Sequence, residues 1–300
     1  MIAVGMLLPA GVLLSNPTIL SRSQAPQALE RLLGPLLLLG LGGLLLVAGL
    51  VANAVRALIV RADLAPGRYR GPAVVVLLLL ATIVGTVVSL GAGCTVLALF
   101  DGGPLPSGGT LLLLTSTQIG LLTVQGALVV APGALAGLRL GAPTRVGRVL
   151  LIGLGAAVPA WIAATLLAYL ATALLTAAGL KADAGILETV LGRGDPTVII
   201  VAFVIVAPVA EELFFRGVVY NAWEREHGPR LALFGSAALF AAIHGSLSAL
   251  VPIFGLGVAL ATVYRITRSL PAVIAMHAAF NAISVAFAFL VRQGILPLPT

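Results

Sequence analysis

Residues 197–216 read TVIIVAFVIVAPVAEELFFR, an apolar run that ends in two adjacent glutamates and an arginine. An apolar helix needs ~20 residues to cross the ~30 Å hydrocarbon layer of a bilayer, and this run is long enough. A charged side chain at that depth costs from ~3 kcal/mol on insertion scales to over ~10 kcal/mol in simulations. Glu211, Glu212 and Arg216 therefore indicate a membrane helix that carries polar chemistry inside the bilayer.

The rest of the chain has the composition of a membrane protein with several spans. It is 60% hydrophobic and 9% charged, whereas a soluble domain is about 25% charged. A membrane β-barrel would show alternating segments of ~10 residues, and residues 36–50 do not alternate. The sequence predicts an all-α fold, a polytopic transmembrane helical bundle of about eight spans. The predicted spans are 33–55, 73–99, 110–136, 149–179, 197–223, 231–246, 249–264 and 270–291. A ninth, N-terminal helix is predicted over residues 2–14, and the sequence leaves its crossing open.

The net charge of +7 reports topology rather than nucleic-acid binding, because the basic residues lie mostly between apolar runs. The loops 56–70, 139–148, 224–230 and 265–269 are basic, and they alternate with neutral or acidic loops. The positive-inside rule places these four loops in the cytoplasm and the C-terminus outside. Lys181 is the single lysine, and Ala, Leu, Gly and Arg are abundant, which favours a GC-rich bacterial genome. We therefore predict a multi-pass protein of the bacterial cytoplasmic membrane.

The two halves of the chain differ in where their charge lies. Residues 1–180 are apolar and carry no recognisable signature, and the acidic loop 181–196 is the predicted boundary. Residues 197–291 hold nearly all the charge that falls inside predicted spans. A single cysteine, Cys94, excludes an internal disulfide framework. Function is therefore expected to reside in the carboxy-terminal half.

Six polar side chains inside the predicted spans of this half are candidates for chemistry. They are Glu211, Glu212, Arg216, His244, His277 and Asn281. Glu212 and Arg216 stand at i, i+4, so they can pair on one helix face. Glu211 is rotated ~100° from Glu212 and needs a partner from another helix. His244 and His277 are available for this, because they and Glu211 lie ~14–21 Å from the predicted cytoplasmic helix ends at 1.5 Å per residue.

This set of residue types suits the hydrolysis of an amide. A glutamate beside a histidine can hold and deprotonate a water molecule. A second histidine and an asparagine amide can donate hydrogen bonds to the developing oxyanion. The same groups could instead bind a divalent metal such as zinc, with Glu211, His244 and His277 as its ligands. No HExxH motif occurs, so the sequence leaves both mechanisms open.

Three short motifs resemble one family of membrane proteases. The chain contains Glu211-Glu212-x-x-x-Arg216, Phe240-x-x-x-His244 and His277-x-x-x-Asn281, in this order, on three predicted spans. This pattern, within residues 197–291, resembles the CPBP family of CAAX proteases and bacteriocin-processing enzymes, also called the Abi family, which includes CAAX prenyl protease type II. Residues 138–141 resemble a segment often found upstream in bacterial members.

The resemblance implies a role for each motif residue. Glu211 would activate the water together with His244, and His277 and Asn281 would stabilise the oxyanion. Glu212 and Arg216 would complete the first motif as a structural or substrate-orienting pair. The family is usually described as metalloproteases, although a metal-independent glutamate mechanism has also been argued for it.

The leading hypothesis is an intramembrane endopeptidase whose site opens to the cytoplasmic side. Its partners would be a peptide or membrane-protein substrate and the lipid bilayer, with no nucleic acid. The resemblance implies a prenylated carboxy-terminal tripeptide, but a bacterial setting favours a leader peptide or a membrane-inserted protein. One alternative is a proton-coupled transporter, which also uses buried Glu and His, although the repeated halves common in transporters are not evident. Another is a non-catalytic scaffold or immunity protein of the same family.

Several of these residues also have a purely structural interpretation. Glu212 and Arg216 can form a structural ion pair, and Asn281 can simply bond two helices together. Gln118 and Gln125 stand at i, i+7 on one face of the third span, which is typical of hydrogen bonds between helices. The close spacing of Gly255 and Gly257 predicts tight helix packing.

Overall fold

The computed structural model describes residues 73–100, 107–130, 146–180 and 195–296. These residues form helices and the short turns between them, with no strand among them. The prediction of an all-α fold is therefore confirmed for the described part of the chain.

Eight helical elements follow one another along these residues. They are α1 Val74–Phe100, α2 Ser107–Leu114, α3 Ser116–Gln125 with a wide-turn extension Gly126–Val130, α4 Val146–Ala177, α5 Pro196–His227, α6 Pro229–Ile243, α7 Leu250–Thr267 and α8 Leu270–Arg292.

Four helices of the described residues are long and apolar enough to cross a membrane: Leu150–Ala177 within α4, and all of α5, α7 and α8. Val74–Leu90 within α1 and the whole of α6 are shorter apolar helices. The predicted count of about eight spans is therefore not confirmed. The predicted span 33–55, the predicted helix over 2–14 and the segment 138–141 lie outside the described residues.

The predicted third span is divided at Thr115, between α2 and α3. The Thr115 hydroxyl donates to the Leu111 carbonyl at 2.8 Å, and the Ser116 hydroxyl donates to the Leu113 carbonyl at 2.9 Å. Hydroxyl groups that bond back to the preceding turn compete with the regular helix and bend it. The helix therefore restarts at Ser116, and α3 carries Gln118 towards α5.

Helix α5 alternates between ordinary and wide turns. Its α-helical parts are Pro196–Ile199, Ala207–Glu212 and Asn221–His227, and its π-helical parts are Ile200–Val206 and Leu213–Tyr220. The amide of Ala207 bonds to the carbonyl of Ala202, five residues back, as a π-helix requires. Wide turns of this kind are frequently found at functional sites. Glu211 and Glu212 are the last two residues of the α-helical part Ala207–Glu212, which lies between the two π-helical parts.

Glycines allow three pairs of helices to approach closely. A methyl group added at Gly120 of α3 would lie 2.1 Å from the Ala81 carbonyl oxygen of α1. One added at Gly153 of α4 would lie 2.1 Å from the Ala272 carbonyl oxygen of α8. At Gly257 of α7 it would lie 3.0 Å from backbone and side chain of Ala237 in α6. The predicted tight packing at Gly257 is thus confirmed, and the helices that surround the site are in backbone contact.

A polar clamp joins the end of α5 to the turn between α7 and α8. Both guanidinium Nη atoms of Arg268 donate to the Glu224 carboxylate, at 2.6 and 2.7 Å. These hydrogen bonds raise the pKa of Arg268 above its ordinary value. Next to the clamp, the amide of Asn221 donates to the Tyr264 hydroxyl at 2.7 Å. The basic loops 224–230 and 265–269 therefore lie at the same end of the bundle.

Candidate active site

A fully buried ion pair forms the centre of the polar cluster. The Nη1 atom of Arg216 donates to Oε1 of Glu212 at 2.8 Å, and both side chains are 0% exposed. The Nη2 atom of Arg216 donates to the Gly257 carbonyl of α7 at 2.9 Å. The pair that the i, i+4 spacing predicts is therefore present, and it ties α5 to α7.

His277 of α8 adds a third member to this pair. Its Nδ1 atom lies 2.8 Å from the same Oε1 of Glu212, and the ring is buried. A carboxylate is an acceptor, so Nδ1 carries the hydrogen. Two further atoms, Glu212 Oε2 and Arg216 Nε, are buried and make no hydrogen bond with the described residues. Glu212, Arg216 and His277, with the bond from Arg216 to the Gly257 carbonyl, thus connect α5, α7 and α8.

The ring of Phe240 organises the groups around the ion pair. The Cζ atom of Arg216 lies 4.9 Å from its centroid, in cation–π contact. The rings of His244 and His277 pack edge-on against it, at centroid distances of 4.8 and 5.7 Å. Both histidines of the motifs are therefore held on one phenyl ring.

His244 follows directly after the last residue of α6 and is partly exposed. Its Nδ1 atom lies 2.7 Å from the Phe240 carbonyl, so Nδ1 must carry the hydrogen of this bond. In the neutral ring, Nε2 is then the acceptor. His244 therefore offers an acceptor atom to a water molecule or a substrate.

Glu211 makes no hydrogen bond to the ion pair among the described residues, although it is the next residue to Glu212. Its side chain is 8% exposed, and its Oε1 atom accepts a hydrogen bond from Nε2 of Gln118 at 3.4 Å. The sequence requires a partner from another helix and offers His244 and His277. The structure supplies Gln118 of α3 instead, and within the described residues no hydrogen bond joins Glu211 to either histidine.

Asn281 bonds to the backbone of α5. Its amide nitrogen donates to the Phe203 carbonyl at 2.7 Å. Phe203 stands five residues before Pro208, so in the π-helical pattern of this segment its carbonyl would accept from the amide of residue 208. Proline has no amide hydrogen. Asn281 therefore satisfies a carbonyl that Pro208 leaves unpaired, and its second amide hydrogen remains for another acceptor.

This role of Asn281 predicts an energetic coupling with Pro208. In a Pro208→Ala variant the new amide can bond to the Phe203 carbonyl, so the side chain of Asn281 is no longer required there. We expect Asn281→Ala to destabilise the wild-type background by about 1 kcal/mol more than the Pro208→Ala background. The four proteins of this double-mutant cycle would be unfolded in detergent and followed by tryptophan fluorescence. Additive effects, within about 0.5 kcal/mol, would contradict the assignment.

The described donor atoms do not assemble a metal site. Within residues 73–100, 107–130, 146–180 and 195–296, no group of three or more His, Cys, Asp or Glu side chains is placed to hold a metal ion. The Glu212–His277 pair that lies closest together also contacts the cation of Arg216. Zinc sites take three or four such ligands. The residues thus do not fit the predicted set of Glu211, His244 and His277 around a metal in this arrangement.

The apolar helices and the buried carboxylate, guanidinium and imidazole groups define an integral membrane protein with a polar site between its helices. Residues 193–283 match the family described as Type II CAAX prenyl endopeptidase Rce1-like, so this part of the chain is similar to that protease family. The match spans less than a third of the 300 residues, and it contains all six predicted site residues. The predicted resemblance is thereby confirmed. No curated protein and no solved structure matches the chain.

Proposed function

We propose that the protein is an intramembrane endopeptidase in which Glu211 activates a water molecule to hydrolyse a peptide bond. The observation that carries this proposal is the unequal bonding of the two adjacent glutamates. Glu212 accepts two short bonds from Arg216 and His277, whereas Glu211 accepts one long bond from Gln118. The Glu212 carboxylate is bonded to the Arg216 guanidinium, whereas no cation among the described residues is bonded to Glu211, so Glu211 is the better candidate for the general base. The family match supports peptide hydrolysis as the reaction.

The proposed reaction begins with a water molecule on Glu211, beside His244. Glu211 takes one hydrogen of the water as the oxygen attacks the carbonyl carbon of the peptide bond. The carbonyl π bond breaks, and its electron pair becomes an oxyanion. Asn281 would donate its remaining amide hydrogen to that oxyanion. His277 would donate a second hydrogen bond through Nε2 as an imidazolium, since its Nδ1 already donates to Glu212. Glu211 then returns the proton to the amine as the C–N bond breaks.

A divalent ion, if bound, would supply Lewis-acid activation of the water or the carbonyl. We write the reaction without one, since the described residues do not gather three ligands. The measurement that tests this choice is the cleavage rate after treatment with a strong chelator, together with the metal content of the purified protein. Retained activity in metal-depleted protein supports the glutamate mechanism. Activity that is lost and restored by added zinc would refute it.

The proposed substrate is a membrane-associated or leader-type peptide that enters the bundle from the cytoplasmic side of a bacterial membrane. The clamp between Glu224 and Arg268 supports this orientation, because it brings two basic loops to one end. A peptide or membrane-protein substrate, with the lipid bilayer as surroundings and no nucleic acid, remains part of this proposal.

The test of the proposed function is cleavage of a quenched-fluorescence peptide library in nanodiscs. We expect wild-type protein to cleave a subset of peptides, and Glu211→Gln to reduce kcat/KM at least ~10²–10⁴-fold, the usual contribution of a general base. Glu226→Gln makes the same chemical change outside the site and serves as the control. Equal cleavage by wild type and Glu211→Gln would rule out Glu211 as the base. Library cleavage by neither protein, with both folded, would instead favour the transporter or scaffold alternatives.

A further inference from the structure

Gln118 contributes to the site from a part of the chain that the family match does not include. It lies on α3, and its Nε2 atom donates to Oε1 of Glu211 across 93 positions of sequence. Its own carbonyl oxygen, Oε1, is buried and has no hydrogen-bond partner among the described residues. A flipped amide would bring that oxygen against the carboxylate oxygen and lose the bond, so the observed orientation is the favourable one.

The backbone that carries Gln118 is held firmly. Gly120, two positions further on, lies so close to α1 that an added methyl group would be 2.1 Å from the Ala81 carbonyl oxygen and 2.8 Å from the Gly85 nitrogen. A methyl group added at Gly85 of α1 would likewise lie 3.0 Å from the Ser116 carbonyl oxygen of α3. The other side of α3 packs against the Ala207–Glu212 part of α5. Gln118 is therefore presented to Glu211 from a rigid support, as precise positioning requires.

We propose that Gln118 positions Glu211 and the attacking water in the hydrolysis, an inference that rests on the proposed function. The amide N–H orients the Glu211 carboxylate. The attacking water has two hydrogens: Glu211 accepts one, and the unpartnered carbonyl oxygen of Gln118 accepts the other. A buried amide oxygen without a partner is destabilising, and a bound water would remove that cost. The bond is long, at 3.4 Å, as catalytic hydrogen bonds often are before substrate binds.

Gln125 provides a matched control for this inference. It is the same residue type on the same helix, seven positions later, and it is buried. Its Nε2 atom is also buried without a partner among the described residues. No hydrogen bond joins it to Glu211 in that part of the chain. Substitution of either glutamine thus removes a buried amide from α3, and only one of the two removes the contact to the base.

The test compares Gln118→Met with Gln125→Met on a peptide that the wild type cleaves. Methionine keeps the length and approximate volume of glutamine but has neither the amide donor nor the carbonyl acceptor. We expect Gln118→Met to lower kcat ~10–100-fold with KM changed less than ~2-fold, because positioning acts on the chemical step. Gln125→Met should keep both constants within ~3-fold of the wild type. Gln118→Asn, which withdraws the amide by one carbon while staying polar, should show the same selective loss of kcat and decides the matter if the methionine variant does not fold.

Each outcome distinguishes this inference from the proposed function. Unchanged kcat in folded Gln118 variants, alongside Glu211-dependent cleavage by the wild type, would overturn the role of Gln118 alone. A rise in KM at constant kcat would also overturn it, since Gln118 would then bind substrate rather than position the base. A wild type without Glu211-dependent cleavage would overturn both.

Discussion

Replacing Glu212 with glutamine is expected to destabilise the folded protein by about 3–5 kcal/mol, the usual cost of removing one partner from a buried ion pair. Arg216 is 0% exposed and would keep its charge without the carboxylate to which it is bonded. Its remaining hydrogen bond, to the Gly257 carbonyl, does not replace the lost charge. His277 would lose its carboxylate partner in the same step. Unfolding in mixed micelles, followed by the fluorescence of Trp161 and Trp223, measures the change.

The neighbouring substitution Glu211→Gln is the control for this prediction. It makes the same chemical change one residue away, where a single long hydrogen bond to Gln118 is at stake. We expect it to alter the free energy of unfolding by less than about 1.5 kcal/mol, the range of an ordinary hydrogen bond. Glu211→Gln is therefore expected to be folded and inactive, and Glu212→Gln is expected to be unstable. Equal stability of the two would contradict the central place of Glu212 in the bundle.

Replacing Gly153 with alanine is expected to cost about 1–3 kcal/mol, because the methyl group has no room. It would lie 2.1 Å from the Ala272 carbonyl oxygen, a backbone atom that cannot rotate away. Helix α4 would have to move away from α8, and α8 carries His277 and Asn281 into the site. Cleavage should therefore decline together with stability.

Gly155 of the same helix gives the matched comparison. A methyl group added there meets nothing within 4 Å. Gly155→Ala should stabilise the protein by up to ~1 kcal/mol, since alanine is the better helix former. Thermal unfolding of both variants in one detergent compares them directly. A destabilising effect of similar size at both positions would refute the close contact between α4 and α8.

The sequence identifies the polar residues of the candidate site, since polar groups inside apolar helices are costly and rare. The Glu212–Arg216 pair follows from the i, i+4 spacing alone. The partner of Glu211 could not be predicted in the same way. Gln118 is remote in sequence, and the sequence pattern shows it only as one of two glutamines on one face of an apolar helix. The rotation of α5 about its axis decides which histidine contacts which glutamate. Wide turns change that rotation, and the pattern of apolar residues does not reveal them.

The same limits apply to the fold. Long apolar runs predict α4, α5, α7 and α8 to within a few residues. The break at Thr115 depends on two hydroxyl groups that bond backwards, inside a run that otherwise resembles one span. Pro208 predicts a disturbance of α5, but not that Asn281, from another helix, would satisfy the carbonyl that the proline leaves unpaired.

The wide turns of α5 also bear on how this helix can change in length. A π-helical turn contains one residue more than an α-helical turn. Removing one residue from Ile200–Val206 would convert it to ordinary helix while leaving Glu211 and Glu212 facing the same way. Removing one residue between Pro208 and Glu211 would instead rotate the glutamates away from their partners. Insertions and deletions during the evolution of this helix are therefore expected to be tolerated in its wide turns and rejected between them.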